Sequence, residues 1–396
     1  MKVPDQPPAM TQGSEAGPET GPETGPETGN GAGLIVIPTF NEAHHIGGLL
    51  DSLLPFARRS GTPIIVADGG SGDATRAIVA ARAQAEPLIR LLDNPARLQS
   101  AGINRAVALA APETRWLIRV DAHAAYRADF CDVLLAEAAE TGADSVVVGM
   151  HAVGEGVLQR AIAAAQNSRF GNGGAAHRMA PQGRLVDHGH HALMLLAAFR
   201  AVGGYDESFS HNEDAELDLR LAQAGARIWL TARTVVTYYP RRSLGALARQ
   251  YMNFGRGRAA TLRKHRQRPR LRQWVVAGLA PALSLAILGP LHPAFVAPLA
   301  LWVLGCGAAG TSLAVAGRDP RLALGGPAAG LMHLAWSLGF WSGLLRRGPA
   351  RATAAQGPVA RGPAARGPVA RGPAAQGSAA EGQDGQVGQD GQRVAS

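Results

Sequence analysis

Residues 274–317 contain no Asp, Glu, Lys or Arg, and Arg318 is the first charge to follow them. A membrane-spanning helix needs about 20 consecutive apolar residues. The stretch is long enough for two, with Gly289-Pro290-Leu291-His292-Pro293 as a natural turn between them. Leu322 to Leu345 is a third uncharged run. Just upstream, residues 241–272 carry eleven Arg or Lys side chains and no acid, with an apolar stripe at Leu244, Leu247, Ala248, Tyr251 and Met252. A basic amphipathic helix of this kind lies on an anionic membrane surface. By the positive-inside rule the basic run is cytoplasmic. Arg318 and Arg321 also fall inside after two spans, whereas Arg346 and Arg347 fall outside after a third. Two or three spans are therefore expected between residues 273 and 346, with the first or third stretch inserting only in part.

The ends of the chain are of another kind. Residues 1–32 contain three Gly-Pro-Glu-Thr repeats, and residues 347–396 run through Gly-Pro-Val-Ala-Arg and Gly-Pro-Ala-Ala-Arg pentads into a Gly/Gln/Asp tail. Neither has apolar material to bury, so both are expected to be disordered. The first lacks the apolar core of a secretory signal. Two cysteines among 396 residues exclude a disulfide scaffold, and a net charge of +9 points to anionic partners.

Residues 33–240 read as an α/β domain. Short apolar runs at Leu34–Ile37, Ile64–Ala67, Leu88–Leu92, Trp116–Val120 and Val146–Val148 predict buried strands. Ile46, Leu49, Leu50, Leu53 and Leu54 recur at the spacing of one helix face. Alternation of strand and helix predicts a mainly parallel sheet with helices on both faces, whose ligands bind at the carboxyl ends of the strands.

Polar residues gather at those ends. The first strand runs into Pro38-Thr39-Phe40-Asn41-Glu42, and the second into Asp68-Gly69-Gly70-Ser71-Gly72-Asp73-Ala74-Thr75. Asp73 reads as a helix-start residue, whereas Asp68, at the strand end itself, is placed to meet a ligand. No dinucleotide fingerprint or phosphate-loop lysine follows. The fourth strand ends in Asp121-Ala122-His123, an acid and an imidazole able to reach one divalent metal, Mn²⁺ or Mg²⁺. Further on come Gly203-Gly204-Tyr205-Asp206-Glu207 and a helix opening His211-Asn212-Glu213-Asp214-Ala215-Glu216-Leu217-Asp218. Carboxylates in a first helical turn suit the macrodipole, which accounts for Glu216 and Asp218. Cys131 reads as packing. His188, His190 and His191 lack the separated partner ligands of a zinc site and read better as lining of an acceptor cleft.

The ordered set Pro-Thr-Phe-Asn-Glu, Asp-Gly-Gly-Ser-x-Asp-x-Thr, Asp-Ala-His, Gly-Gly-Tyr-Asp-Glu and Glu-Asp-x-Glu-Leu-x-x-Arg-Leu resembles the family 2 glycosyltransferases over about residues 33–260. Asp-Ala-His-Ala-x-Tyr, His-Asn-Glu-Asp-Ala-Glu and Gln250-Tyr251-x-x-Phe254-Gly255-Arg256-Gly257-Arg258 resemble, within it, the glucosyltransferases of succinoglycan biosynthesis. The resemblance implies a GT-A fold, a nucleotide-sugar donor and inversion at the anomeric carbon. It implies that Thr39, Glu42 and Asp68 hold the uridine, that Arg97 lies near the nucleotide, and that Asp121 approaches ribose, diphosphate and metal. His123 stands where the family's second acid is usual. Asp214, beside Glu213, matches the catalytic base, and Gln250 and Arg256 match an element that meets diphosphate and acceptor.

The expected function is transfer of a hexose, glucose above others, from a UDP-sugar to a polyprenyl-diphosphate-linked saccharide in exopolysaccharide biosynthesis. The catalytic domain would face the cytoplasm at the bacterial inner membrane. The alternatives are a processive polysaccharide synthase, a non-enzymatic nucleotide-sugar sensor and a nucleic-acid-binding membrane protein. The synthase usually carries more membrane helices and a Gln-x-x-Arg-Trp element, and the last lacks an aromatic RNA-binding motif here.

Overall fold

The computed structural model describes residues 33–173 and 182–345, so the expectations for residues 1–32 and 347–396 lie outside the described residues. One eight-stranded sheet organises the first part. Its strands are β1 (Gly33–Thr39), β2 (Ile64–Asp68), β3 (Ile89–Asp93), β4 (Trp116–Arg119), β5 (Ser145–Ala152), β6 (Arg184–Leu185), β7 (His190–Leu195) and β8 (Ile228–Tyr238), in the order β3-β2-β1-β4-β7-β5-β8-β6. β1, β2, β3 and β4 are parallel, as are β5 and β8. β7 runs antiparallel between β4 and β5.

Strands buried on both faces read as continuous apolar runs, and β1 and β2 do so. One face packs against α1 (Ile46–Ser60) and α4 (Phe130–Thr141), through the predicted stripe Ile46, Leu49, Leu50, Leu53 and Leu54 together with Phe130 and Leu134. The other packs against α3 (Gln99–Ala108), α7 (Leu196–Ala201) and α8 (Glu213–Gln223), through Ile103, Val107, Phe199, Leu217 and Leu221. α2 (Thr75–Ala85), α5 (Gly156–Asn167) and α6 (Arg169–Asn172) complete this region. Cys131 is buried in the first layer, and burial pushes its thiol up to about 12, consistent with a packing residue.

The antiparallel strand matters for function. β7 starts at the edge where β4 and β5 end, opposite Val148, so it delivers His190 and His191 to the carboxyl edge of the sheet.

After β8 the chain becomes helical: α9 (Leu244–Lys264), α10 (Leu271–Ala277), α11 (Leu279–Ser284), α12 (Ala297–Gly317) and α13 (Gly325–Leu345), with 3₁₀ turns at Leu285–Leu288, Pro293–Val296 and Pro320–Leu324. Two segments, Leu271–Leu288 (18 residues) and Pro293–Gly317 (25 residues), are long and apolar enough to cross a membrane, and both are mostly exposed. The third uncharged run behaves differently. α13 buries Ala328, Ala329, Met332, Ser337 and Phe340 against α5, α9, α10 and α12.

The basic segment also departs from a helix lying free on a surface. α9 is wedged between α13 and the loop that precedes α8. Gly255 faces α13, where an added methyl group would stand 2.1 Å from the carbonyl oxygen of Trp336. Gly257 faces the loop, where an added methyl group would stand 2.5 Å from the carbonyl oxygen of His211. Small residues at these two positions let the backbones approach.

Candidate active site

The nucleotide side of the expected site is built where β1 and β2 end. Thr39 and Asp68 are register partners there. Thr39 is buried and its hydroxyl has no hydrogen-bond partner, an exception to the usual satisfaction of buried polar groups. Asp68 is fully buried. Its carboxylate accepts from the Gly70 and Ser71 amides (both 3.0 Å), from the Ser71 hydroxyl (2.5 Å) and from Arg76 (2.8 Å). Burial opposes ionisation, but these donors outweigh it and lower the pKa. The expectation of a ligand-facing Asp68 is therefore revised: the side chain braces the 69–71 loop from beneath. Asn41, held at φ 57°, ties the two loops together by donating from its amide to Ser71 and accepting from Gly72. Asp73 accepts from the amide and hydroxyl of Thr75, as expected of a helix-start residue. Arg97 is exposed, with its guanidinium against Gly70.

Glu42 and His123 come together: Nδ1 of His123 lies 3.1 Å from Glu42 Oε1. The bond to Glu42 raises the histidine's pKa.

The acidic side of the site centres on a residue outside the expected motifs. Arg119, the last residue of β4, is buried. It contacts Asp121 Oδ1 (3.4 Å), donates to the Tyr205 hydroxyl (3.0 Å) and forms an ion pair with Asp214. Burial opposes ionisation of Asp214, but Arg119, His191 and His190 hold its carboxyl well below the usual range. Its neighbour Glu213 is pushed up to about 7, first by burial and then by the Asp214 charge. Two adjacent carboxyls with pKa values driven apart have separate roles, and the ionised one is Asp214.

His190 stands between the two acids, with Nε2 3.4 Å from Asp121 Oδ2 and Nδ1 4.0 Å from Asp214 Oδ2. Burial lowers its pKa and favours the neutral ring. His191 points the other way, which revises the expectation that it lines an acceptor cleft. Its side chain is fully buried, with Nδ1 2.7 Å from the Tyr205 hydroxyl and Nε2 2.7 Å from Asp218 Oδ1. The Tyr205 hydroxyl in turn donates to Asp214 (3.3 Å). Burial works against a charged His191, but Asp218 and Asp214 raise its pKa. An imidazolium donating from both nitrogens fits this arrangement.

Asp218 also accepts from the Gly189 amide (3.1 Å) and contacts His188 (2.9 Å). Helix-start electrostatics does not describe it, because it is a fully buried anion at the root of the site. The same holds for Glu216, buried beneath Arg220, Lys264 and His265. The sequence carried one available signal: a charged Arg119 inside the apolar run Leu117-Ile118-Arg119-Val120.

Gln250 and Arg256 are not brought to these acids by any bond among the described residues. Gln250 donates to the Tyr238 hydroxyl (3.0 Å), and its carbonyl oxygen is buried without a partner. Arg256 donates to Ser342 of α13 and to Asn253 (both 3.2 Å). They lie on α9, whose Asn253 reaches His211 (3.3 Å), so their link to the catalytic loop runs through the helix.

Among the described residues no group of three or more His, Cys, Asp or Glu side chains is gathered to hold a metal. The donors fit a cation that arrives with a diphosphate, because such ions take one or two protein ligands and fill the rest with phosphate and water. Asp121 supplies a partly exposed carboxylate. Glu42 engages Nδ1 of His123 and leaves Nε2 as the nitrogen available to a metal, the usual carboxylate–histidine arrangement.

An α/β sheet with two acids of separated pKa at its carboxyl edge is suited to acid–base chemistry, and comparison with known proteins gives the class. Residues 34–203 match Glycosyl transferase family 2. The chain is 50% identical over 312 residues to the succinoglycan biosynthesis protein ExoA of Rhizobium meliloti (strain 1021), covering 79% of this chain and 94% of that one. The chain belongs to glycosyl transferase family 2: it is a glycosyltransferase with a GT-A-type catalytic domain. Among solved structures, it is similar to the mannosyltransferase PcManGT of Pyrobaculum calidifontis, solved with GDP-Man and Mn²⁺ (19% identity, TM-score 0.48, 80% of this chain and 88% of that one). It is also similar to residues 1–349 of S. aureus TarS, solved with UDP-GlcNAc (18% identity, TM-score 0.40, 58% and 66%).

Proposed function

We propose that this enzyme is held at the bacterial inner membrane and inverts the anomeric centre as it moves a hexose, glucose first, from a UDP-sugar to a polyprenyl-diphosphate-linked saccharide. It would thereby help to build an exopolysaccharide, with its catalytic domain in the cytoplasm. The observation that carries the reading is Asp214, kept ionised at the sheet edge by Arg119 beside Glu213, whose pKa is pushed up to about 7. The similarity to a succinoglycan biosynthesis protein supports the pathway class. The two long apolar segments support the membrane setting.

In this reading Thr39, Glu42 and Arg97 contact the nucleotide, and Asp68 shapes the wall behind it. A sugar hydroxyl is a poor nucleophile, so a carboxylate must take its proton during attack. Asp214 takes that proton as the acceptor oxygen bonds to the anomeric carbon and the bond to the diphosphate breaks. Inversion in one displacement needs no enzyme nucleophile. Asp121 and His123 would hold a divalent cation, Mn²⁺ or Mg²⁺. A bound cation would offset charge growing on the departing diphosphate. His190, neutral between Asp121 and Asp214, keeps the two acids apart and can donate to the acceptor. Gln250 and Arg256 act indirectly, through the α9 contact to the loop before Asp214.

The donor is tested by diphosphonucleoside release from membranes containing the full chain, extracted lipid-linked acceptors and Mn²⁺ or Mg²⁺. The panel is UDP-glucose, UDP-galactose, UDP-N-acetylglucosamine and GDP-mannose. Release from UDP-glucose that requires the lipid fraction is the expected result. Release from GDP-mannose alone would refute the uridine assignment.

A further inference from the structure

Beside α8, along its Ala215, Leu219 and Ala222 face, there is a small cavity of about 90 Å³, between that helix and the connection from α9 to α10. Arg258, Arg268, Arg270 and Arg272 all line it, with Asp187 and His188. Asp187 is paired with Arg270. Among the described residues, Arg258, Arg268 and Arg272 have no carboxylate at ion-pair distance. Four guanidinium groups thus converge on one cavity against a single carboxylate, Asp187, which pairs with Arg270.

Like charges in a partly buried place are costly, and the cost shows on Arg258. Burial, followed by repulsion from Arg272 and Arg270, brings its pKa down to about 10. Planar guanidinium forks are suited to phosphate oxygens, and an anion bound among them would relieve the repulsion. The size selects within anions. About 90 Å³ is room for one phosphate group.

The location selects further. Arg270 and Arg272 flank Leu271, which is 80% exposed, and Val275, one turn on, is 69% exposed. These residues begin the first segment able to cross a membrane, Leu271–Leu288. Trp274 is half-exposed beside them, and tryptophan favours the headgroup layer. The cavity mouth therefore lies where lipid phosphates are concentrated. We infer that the arginine-lined cavity between α8 and the α9–α10 connection binds the phosphate group of a membrane lipid, with its chain lying along the Leu271–Leu288 segment. This inference rests on the membrane setting proposed above. It is independent of the donor and of the transfer step, because Arg258, Arg268 and Arg272 of the cavity wall are not among the groups assigned to the reaction.

Two lipids share the chemistry: a bulk anionic phospholipid and the isoprenyl phosphate of a lipid carrier. The test is thermal unfolding of the purified full chain in an uncharged detergent, with no donor present. Dioleoyl phosphatidylglycerol, undecaprenyl phosphate and inorganic phosphate are titrated separately. Wild type, Arg258→Gln, Arg258→Lys and Arg58→Gln are compared, each against its own lipid-free baseline. A lipid phosphate should raise the melting temperature of wild type and of Arg58→Gln at equal concentrations. Half-saturation should weaken by about 10-fold or more in Arg258→Gln, the loss expected for one charged hydrogen-bond partner, and less in Arg258→Lys. Stronger saturation by undecaprenyl phosphate identifies the carrier, and stronger saturation by phosphatidylglycerol identifies the bulk leaflet; either supports the site. Equal half-saturation in wild type and Arg258→Gln would overturn it. So would inorganic phosphate acting as well as both lipids, or no shift with either lipid. Because no transfer is read, a failed donor assay leaves this result intact.

Discussion

At the sheet edge, the buried groups that meet are charged: Arg119, Asp214, His191 and Asp218, joined through the Tyr205 hydroxyl. Along α13 the buried groups include Gly326, Ala328, Ala329, Gly330, Gly339 and Phe340, and side-chain charge is absent. The first region gains its order from electrostatics at low dielectric, where each ion is tolerable only while its partner is present. The second gains it from close backbone approach, which any added atom obstructs. α9 belongs to both. Its Gly255 meets α13, and its Gly257 meets the loop at His211 and Asn212 that leads into Glu213 and Asp214. The helical layer therefore supports the catalytic loop from behind as well as providing apolar surface.

Removing one ion from the first region should be the most damaging single change to stability. Asp218→Ala leaves a buried His191 imidazolium without its carboxylate and should cost about 3–5 kcal/mol in chemical unfolding. A loss below 1 kcal/mol would show that the histidine is not held charged. Next, Gly257→Ala should displace the 211–212 loop while leaving the helical layer intact. A displacement near 1 Å at the base should lower the transfer rate about 10²-fold, measured as kcat with saturating donor. Gly255→Ala sharpens the contrast by presenting the same methyl group on the opposite face. It should cost about 1–3 kcal/mol of stability through overpacking against Trp336, with a smaller effect on rate than Gly257→Ala. If the two variants behave alike, α9 does not separate the two kinds of contact.

The mildest perturbation is pH. Asp218 lies below its ordinary 3.8 in the folded state, so its contribution is present above that value and is lost as pH falls through the lowered pKa. His191 lies above its ordinary 6.5, so its contribution is full below 6.5 and is lost as pH rises through the raised pKa. The pair should therefore stabilise the fold most between about pH 3.8 and 6.5, with stability declining on the alkaline side. In Asp218→Ala the decline above pH 6.5 should flatten, which a melting series across pH would reveal.

Much of this arrangement was legible in the residues themselves. The five strand runs and the α1 stripe are local patterns, and they fold where their periodicity says. The strand-end motifs place Thr39, Glu42 and Asp121 at the carboxyl edge, because a parallel sheet gathers whatever follows its strands. β7 was not legible: His190–Leu195 opens with two histidines, so it lacks the apolar run of the other strands, and nothing local tells an antiparallel strand from a parallel one. The roles of His191, Asp218 and Glu216 were hidden for the same reason. Asp218 meets His191 across 27 positions and Glu216 meets His265 across 49, whereas at close range both look like ordinary charges at a helix start. α13 was hidden by composition. An uncharged run suits a membrane or a protein interior equally, and only the glycine and alanine positions along it hint at packing.

The central claim is that Asp214, held ionised by Arg119, takes the proton from the acceptor hydroxyl. The direct measurement compares wild type with Asp214→Asn in the full chain, reading UDP binding by tryptophan quenching and sugar transfer to the lipid fraction in parallel. The account predicts transfer reduced by about 10²–10⁴-fold, with UDP affinity retained within a few-fold. Transfer by Asp214→Asn at a rate comparable to wild type would contradict it.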